Sequence, residues 1–559
     1  MLFSSYSFIF LFVPFTLLGY WLIGRATARR GPWLAWLIFC SVVFYAIWNP
    51  VNLLIIAPSL VVNFFLASRI RQLLDASVPD ERGASWLLYL GLAFNLCFLG
   101  YFKYRNFFLD SVNTLAGSQW PLTELVLPLG ISFITFQKIA FLVDVRARTV
   151  RQFTATDFLI FVFFFPQLIA GPIVHFREVM PQFNSSDGKL KPRDLAVGLS
   201  MFAFGLFKKA VLADGIAPHA TGIFAAAERG EPLGLFNAWI GTLAFLLQVY
   251  FDFSGYSDMA VRKRVSVMCQ RFQKSMMLGA FNGESKFIGR RMPNILETPL
   301  KAPSIIDFWN RWHITLTRFL TAYVYSPLLL TLTRKRMAAG LPIAANRRST
   351  PGAFAILVAW PTILTMFLSG FWHGAGINFI LYGLLHGAYL VVNHGWRQWR
   401  PNWDRKRYDK VMMPIGVVLT VVAATFAMPL FKARTLGGAS HVMSAMLGQD
   451  GAYLPAAILN RLGALASWLG RLGVTEQASS GAGFVQMCLW VAALLLIAWT
   501  LPNTQQLMAP FEPVLDAKKS RTGHRHIALN RRWAAAVGLL LVAGVFSLNR
   551  VGEFLYWQF

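Results

Sequence analysis

A histidine set in apolar sequence, with glycines on both sides, is the first residue in this chain that could do chemistry. The stretch Ser369-Gly-Phe-Trp-His-Gly-Ala-Gly376 lies between two apolar runs, so hydropathy places His373 inside a membrane. Titratable groups in a bilayer are costly, and they have a partner or a task. A neutral imidazole there can take a proton from a hydroxyl, since its ordinary pKa is about 6.5. The competing reading is a packing histidine bonded to a neighbouring helix. Gly370, Gly374 and Gly376 permit close helix approach or a break that opens backbone to a cavity. His386 follows 13 residues later. In one straight helix that is about 20 Å along the axis, too far to serve the same atom, so His386 is expected to be structural.

Two further stretches carry polar groups beside apolar runs. In Asp307-Phe-Trp-Asn-Arg-Trp-His313, Asp307 and Arg311 are four apart and can pair on one helix face. Phe308, Trp309 and Trp312 give the segment an interfacial, aromatic-belt character, and His313 would sit at the membrane boundary. The alternative is an anchor helix with no chemistry. In Gln248-Val-Tyr-Phe-Asp252-Phe-Ser-Gly-Tyr-Ser-Asp258, two carboxylates end an apolar run. No histidine or second acidic cluster completes a metal set, so capping and hydrogen bonding are expected and no metal is.

The elements that must hold these residues are membrane helices. Of 559 residues, 56% are apolar and only 14% charged, and mean hydropathy is +0.50. A soluble fold cannot hide that much apolar surface. A spanning helix needs about 20 mostly apolar residues. Candidate runs fall near 7–24, 33–48, 51–67, 86–102, 124–143, 156–174, 195–213, 234–252, 353–371, 376–393, 411–430, 484–501 and 533–548. Some are short or polar enough to be re-entrant. The expected fold is therefore all-α and polytopic, with about 11–13 transmembrane or re-entrant helices.

The net charge of +27 sits in short clusters between these runs, which suits loops at an anionic leaflet rather than nucleic acid. Basic clusters after the first, third and fifth runs put the N-terminus outside. The basic stretch 261–303 and the Gly/Ala-rich stretch 431–483 read as extramembrane or interfacial. The four scattered cysteines read as apolar fillers. No phosphate-cradling loop, nucleophile elbow, dinucleotide fingerprint or paired-histidine zinc motif is present. The first run has no basic n-region, so no cleavable signal is expected.

Together these blocks resemble the membrane-bound O-acyltransferase (MBOAT) family, in its bacterial alginate O-acetyltransferase branch. The resemblance rests on seven fragments in family order: Leu127-Pro-Leu-Gly-Ile-Ser-Phe-Ile-Thr-Phe-Gln137 with Asp144; Phe165-Pro-Gln-Leu-Ile-Ala-Gly-Pro-Ile173; Tyr250 to Asp258; Asp307 to His313; Phe371-Trp-His-Gly374 through Leu385-His-Gly387; Pro502 to Gln506; and Glu553 to Tyr556. It implies one membrane domain over 1–559, with its helices around a central tunnel. It implies His373 in the place of the essential membrane histidine and His313 in that of the second, more variable one. Acetyl-CoA would be the cytoplasmic donor, with no other cofactor. An exported, alginate-like polysaccharide would be the acceptor, with periplasmic partner proteins and a bacterial inner-membrane location. Asp307, Asn310, Trp312 and Asn378 are the candidate substrate-binding residues. Asn310, Asn378 and the glycine-rich backbone are candidate oxyanion donors. The competing class is a transporter or flippase subunit of an exopolysaccharide export complex.

The basic stretch generates a test. Clustered Lys and Arg raise the local concentration of a polyanionic donor. Neutralising Arg290 and Arg291 should raise the apparent KM for acetyl-CoA, more strongly at low salt. A change in protein abundance alone would make the stretch a topological anchor.

Overall fold

The computed structural model describes residues 3–27, 29–123, 125–168, 171, 173–184, 192–260, 298–345, 348–400, 404–477, 481–511 and 529–549. Most of the basic stretch (261–297), with Arg290 and Arg291, and the closing Glu553–Tyr556 fragment lie outside the described residues. The described elements are helices apart from two short two-stranded pairings. Eight helices are long and apolar enough to cross a membrane: Phe8–Ala26, Pro50–Asp75, Glu81–Ala116, Pro192–Glu228, Leu235–Met259, Pro351–His373, Arg407–Lys432 and Ala482–Leu507. Each matches one of the apolar runs. The five other runs form the Arg30–Ala46, Ile131–Arg146, Ala155–Phe163, Ile377–Trp399 and Arg531–Phe546 helices. These are shorter or more polar, as re-entrant or tilted segments would be. The polytopic all-α expectation holds.

The chain divides into two compact units. The first comprises Met1–Leu206, Tyr256–Asn294 and Thr504–Leu548. Its Pro50–Asp75, Glu81–Leu99 and Ile131–Arg146 helices carry buried polar groups that answer one another. Asn95 Nδ2 donates to Asn63 Oδ1 at 2.6 Å, and Lys138 Nζ donates to Ser59 Oγ at 2.9 Å. Asp157 joins a capping box with Thr154 and accepts from Arg30. Burial acts to raise its carboxyl pKa. The Thr154 and Arg30 hydrogen bonds outweigh that and leave it below the usual value.

The second unit comprises Phe207–Gly255, Ile295–Asn503 and Asn549–Phe559, and it holds both His313 and His373. At its centre, Lys209 in the π-helical turn Lys208–Ala213 bonds Asp214 at 2.8 Å and Asp252 at 2.9 Å. All three side chains are nine-tenths or more buried. Asp252 thus has a cation partner, which accounts for a carboxylate at the end of an apolar run. Next to it, Lys208 Nζ donates to Ser254 Oγ at 2.9 Å. The Gly/Ala-rich stretch is ordered rather than plain loop. Glu228 accepts the backbone N–H groups of Arg434 and Thr435 at 2.7 and 3.1 Å, just before the Leu436–Met446 helix. Ala452–Pro455 then pairs in parallel with Val474–Gln477.

Replacing Lys209 by Met leaves two buried carboxylates facing each other without their cation. Thermal unfolding in detergent should show a loss of about 3–5 kcal/mol. Arg148→Met, which breaks an exposed pair with Glu81, should cost no more than about 1 kcal/mol.

Candidate functional site

His373 is the last residue of the Trp360–His373 helix. The chain then runs extended through Gly374 (φ −165°, ψ 158°) and Gly376 (φ −165°, ψ 149°) before the Ile377–Trp399 helix begins. The second helix folds back antiparallel on the first. Gly383 packs on Gly370, and Gly387 lies against Ile363 and Met366. A Cβ on Gly370 would come within 2.2 Å of the Phe379 carbonyl oxygen, and one on Gly383 within 2.2 Å of the Met366 carbonyl oxygen. The glycines permitted close approach or a helix break, and both occur.

The buried His373 ring sits among three aromatic rings. Its centroid is 4.8 Å from Trp372, 5.1 Å from Phe431 and 6.3 Å from Tyr382. His313 reaches the same place from a different element. It joins the short Ile305–Arg311 and Ile314–Leu320 helices in a left-handed conformation, φ 41° and ψ 51°. Only Arg148 shares a positive φ among described non-glycine residues. Such a conformation costs about 1–3 kcal/mol and persists only where the surroundings impose it. The His313 ring is 1% exposed. It packs 4.9 Å from Phe253 and 5.7 Å from Trp372. Trp372 is therefore the ring that both histidines touch. Burial pushes the His313 imidazole down to about 3. A neutral ring suits it to orient a group by hydrogen bonding rather than to hold a proton.

His386 departs from its expected place. The estimate of about 20 Å from His373 assumed one straight helix. The glycine break and the fold-back remove that assumption, and His386 instead shares Tyr382 with His373, 4.6 Å from the tyrosine ring. Its Nδ1 accepts from Trp309 Nε1 at 3.3 Å.

The other candidates divide. Asp307 pairs with Arg311 at 2.8 Å, as their spacing predicts, and its N–H is capped by Ser304. Asn310 is exposed on the same helix. Trp312 stacks on Phe308 at 5.6 Å. Phe308, Trp309 and Trp312 are all buried in the core of this unit, so they form no exposed aromatic belt. The aromatic spacing that resembled a belt reflects rings packed around the histidines. Asn378 is buried, and its Nδ2 donates to the Ala433 carbonyl at 3.2 Å. Its Oδ1 has no hydrogen-bond partner among the described residues, so this side chain presents an acceptor.

Two residues of the site, Tyr382 and Phe431, were not singled out from the sequence, and a third, Trp309, was assigned to the membrane surface. Tyr382 lies four before His386 on one helix face, and that spacing is the signal for it. Trp309 stood in a marked motif but had no assigned partner. Phe431 comes from the distant Arg407–Lys432 helix, and nothing local points to it.

The family model for the membrane-bound O-acyltransferase family matches residues 90–341, a range that contains His313 and ends before His373. The chain is 36% identical to a peptidoglycan O-acetyltransferase of Helicobacter pylori, over 81% of each chain. It is 34% identical to a probable alginate O-acetylase of Azotobacter vinelandii, over 80% of this chain and 78% of the relative. A teichoic acid D-alanyltransferase of Bacillus subtilis is 23% identical over 56% of this chain and 71% of the relative.

The close helix approach can be tested without an activity. A methyl group at Gly383 meets backbone that cannot move aside, so Gly383→Ala should lose about 1–3 kcal/mol in thermal unfolding. Gly376→Ala, whose nearest neighbour would be a phenylalanine ring atom at 3.6 Å, should unfold near the wild-type temperature.

Proposed function

The chain belongs to the membrane-bound O-acyltransferase family, and from that premise we propose that it moves an acetyl group from cytoplasmic acetyl-CoA to hydroxyls of an exported polysaccharide. The O-acyltransferase class and the multi-pass membrane setting come with the family. The acetyl group, the CoA donor and the sugar acceptor are our reading; the names of the peptidoglycan and alginate relatives support the acetyl group and the sugar acceptor. A bacterial inner membrane and a periplasmic partner at the acceptor side belong to the same reading.

The observation that carries it is the burial of His373 at a helix break, immediately before the uncapped start of the Ile377–Trp399 helix. His373 takes the proton of the acceptor hydroxyl as its oxygen attacks the thioester carbonyl. The tetrahedral oxyanion that forms needs donors. The first amides of the Ile377–Trp399 helix supply them best, since Gly376 provides no side-chain cap and the helix dipole adds positive character. Asn378 serves less well, because its amide donates to Ala433. Collapse of the intermediate expels the CoA thiolate, which recovers the proton from the imidazolium. The neutral His313 orients the acceptor or the thioester. The aromatic wall of Trp372, Tyr382 and Phe431 limits water, and so hydrolysis.

Purified protein in liposomes, given acetyl-CoA and either uronate oligosaccharides or peptidoglycan fragments, should release CoA in an acceptor-dependent way. Acetyl esters should appear on the sugar or, by relay, on an added periplasmic partner. Glycan movement across the bilayer without acetyl-CoA consumption would overturn the reading in favour of transport.

A further inference from the structure

His386 is fully buried, and the reaction proposed above gives it no role. Its hydrogen bond fixes its chemistry. A tryptophan indole N–H can only donate, so His386 Nδ1 accepts from Trp309 Nε1 and the imidazole proton sits on Nε2. The ring is held on four sides. Tyr382 lies 4.6 Å away, Trp309 5.2 Å, Tyr389 5.6 Å, and Phe308 stacks at 6.3 Å with 9° between planes.

This single ring joins the supports of both site histidines. On one side, Trp309 belongs to the short helix that leads into His313. The Trp309 carbonyl also accepts from Thr317 Oγ1 at 3.3 Å, on the short helix that leaves His313. Trp309 therefore grips both flanks of the left-handed residue, and His386 grips Trp309. On the other side, Tyr382 stands between His386 and His373, edge-on to the latter at 89°. Strain of the kind seen at His313 needs surroundings that over-determine it. A seven-residue helix has little rigidity of its own.

We propose that His386 is a positioning residue: through its hydrogen bond to Trp309 and its contact with Tyr382, it holds the His313 turn in register with His373. This rests on the acetyl-transfer reading, and it adds a third histidine that never touches substrate. The conservative requirement at position 386 is an acceptor facing Trp309, not a titrating base.

Four variants test it: His386→Leu, which keeps volume but removes the acceptor; Trp309→Phe, which keeps a ring but removes the donor; the double variant; and His386→Asn, which returns an acceptor. Each is measured for thermal midpoint, for kcat and for KM toward acetyl-CoA, per folded protein. His386→Leu and Trp309→Phe should each lower kcat about 10- to 100-fold, the scale on which small misplacements act, with KM changed less than about threefold. The double variant should be no slower than the worse single one, because both break one bond. His386→Asn should recover much of the lost kcat. Additive losses, no recovery by Asn, or a lowered thermal midpoint with unchanged kcat would each overturn the proposal. A His386→Leu enzyme as inactive as one lacking His373 would make His386 catalytic and overturn it too. If the wild type transfers no acetyl group, the functional reading fails instead. The double-variant cycle in thermal midpoint still shows whether the Trp309–His386 bond couples the two elements.

Discussion

No side chain fits between Gly370 and Gly383, and the contact this allows is what the rest of the site depends on. Two helices that touch backbone to backbone can reverse direction within the three residues Gly374–Gly376. The reversal places His373 at a helix end and its neighbour's N-terminus directly after it. A histidine in the middle of a continuous helix would have every nearby amide engaged in the helix itself. At a break, the first amides of the following helix have no intrahelical acceptor and stay available to a ligand. In an apolar medium that difference is large, because water cannot fill in for a missing donor.

The second requirement is to bring His313 to the same aromatic wall from a separate element. Two short helices and a left-handed histidine do this. Neither helix is long enough to be stable alone. They are held by rings: Trp312 on Phe308, Phe253 on His313, and Trp372 between the two histidines. The Lys209–Asp214–Asp252 cluster ties the Leu235–Ala260 helix, which carries Phe253, to the preceding π-helical turn. Buried charges of this kind are stable only when paired. Here the pairing links Asp252, on the helix that carries Phe253, to Lys209.

Much of this was legible in the sequence, because lipid imposes simple rules. The apolar runs marked thirteen described helices, and the eight long apolar ones needed only length and hydropathy to be found. His373 stood out as a polar residue where polarity is costly, and the flanking glycines left a break or a close approach open. The Asp307–Arg311 pair followed from spacing alone. The distance between His373 and His386 was not legible, because it depends on a chain reversal that hydropathy cannot see. Phe308, Trp309 and Trp312 were assigned to the membrane surface, since burial inside a unit and exposure to lipid leave the same apolar signature. Asp252 lies far in sequence from Lys209, and Phe431 from His373, and no local pattern marks such pairs.

The account stands on His373 acting as the base. The most direct measurement is the acetyl-transfer rate of His373→Gln, compared with wild type at equal folded concentration and with thermal midpoints recorded for both. Glutamine keeps much of the size and a hydrogen-bonding end but cannot take the proton. The account predicts a folded, membrane-inserted protein whose rate falls by about 10²- to 10⁴-fold. A folded His373→Gln protein turning over near the wild-type rate would contradict it and place the base elsewhere.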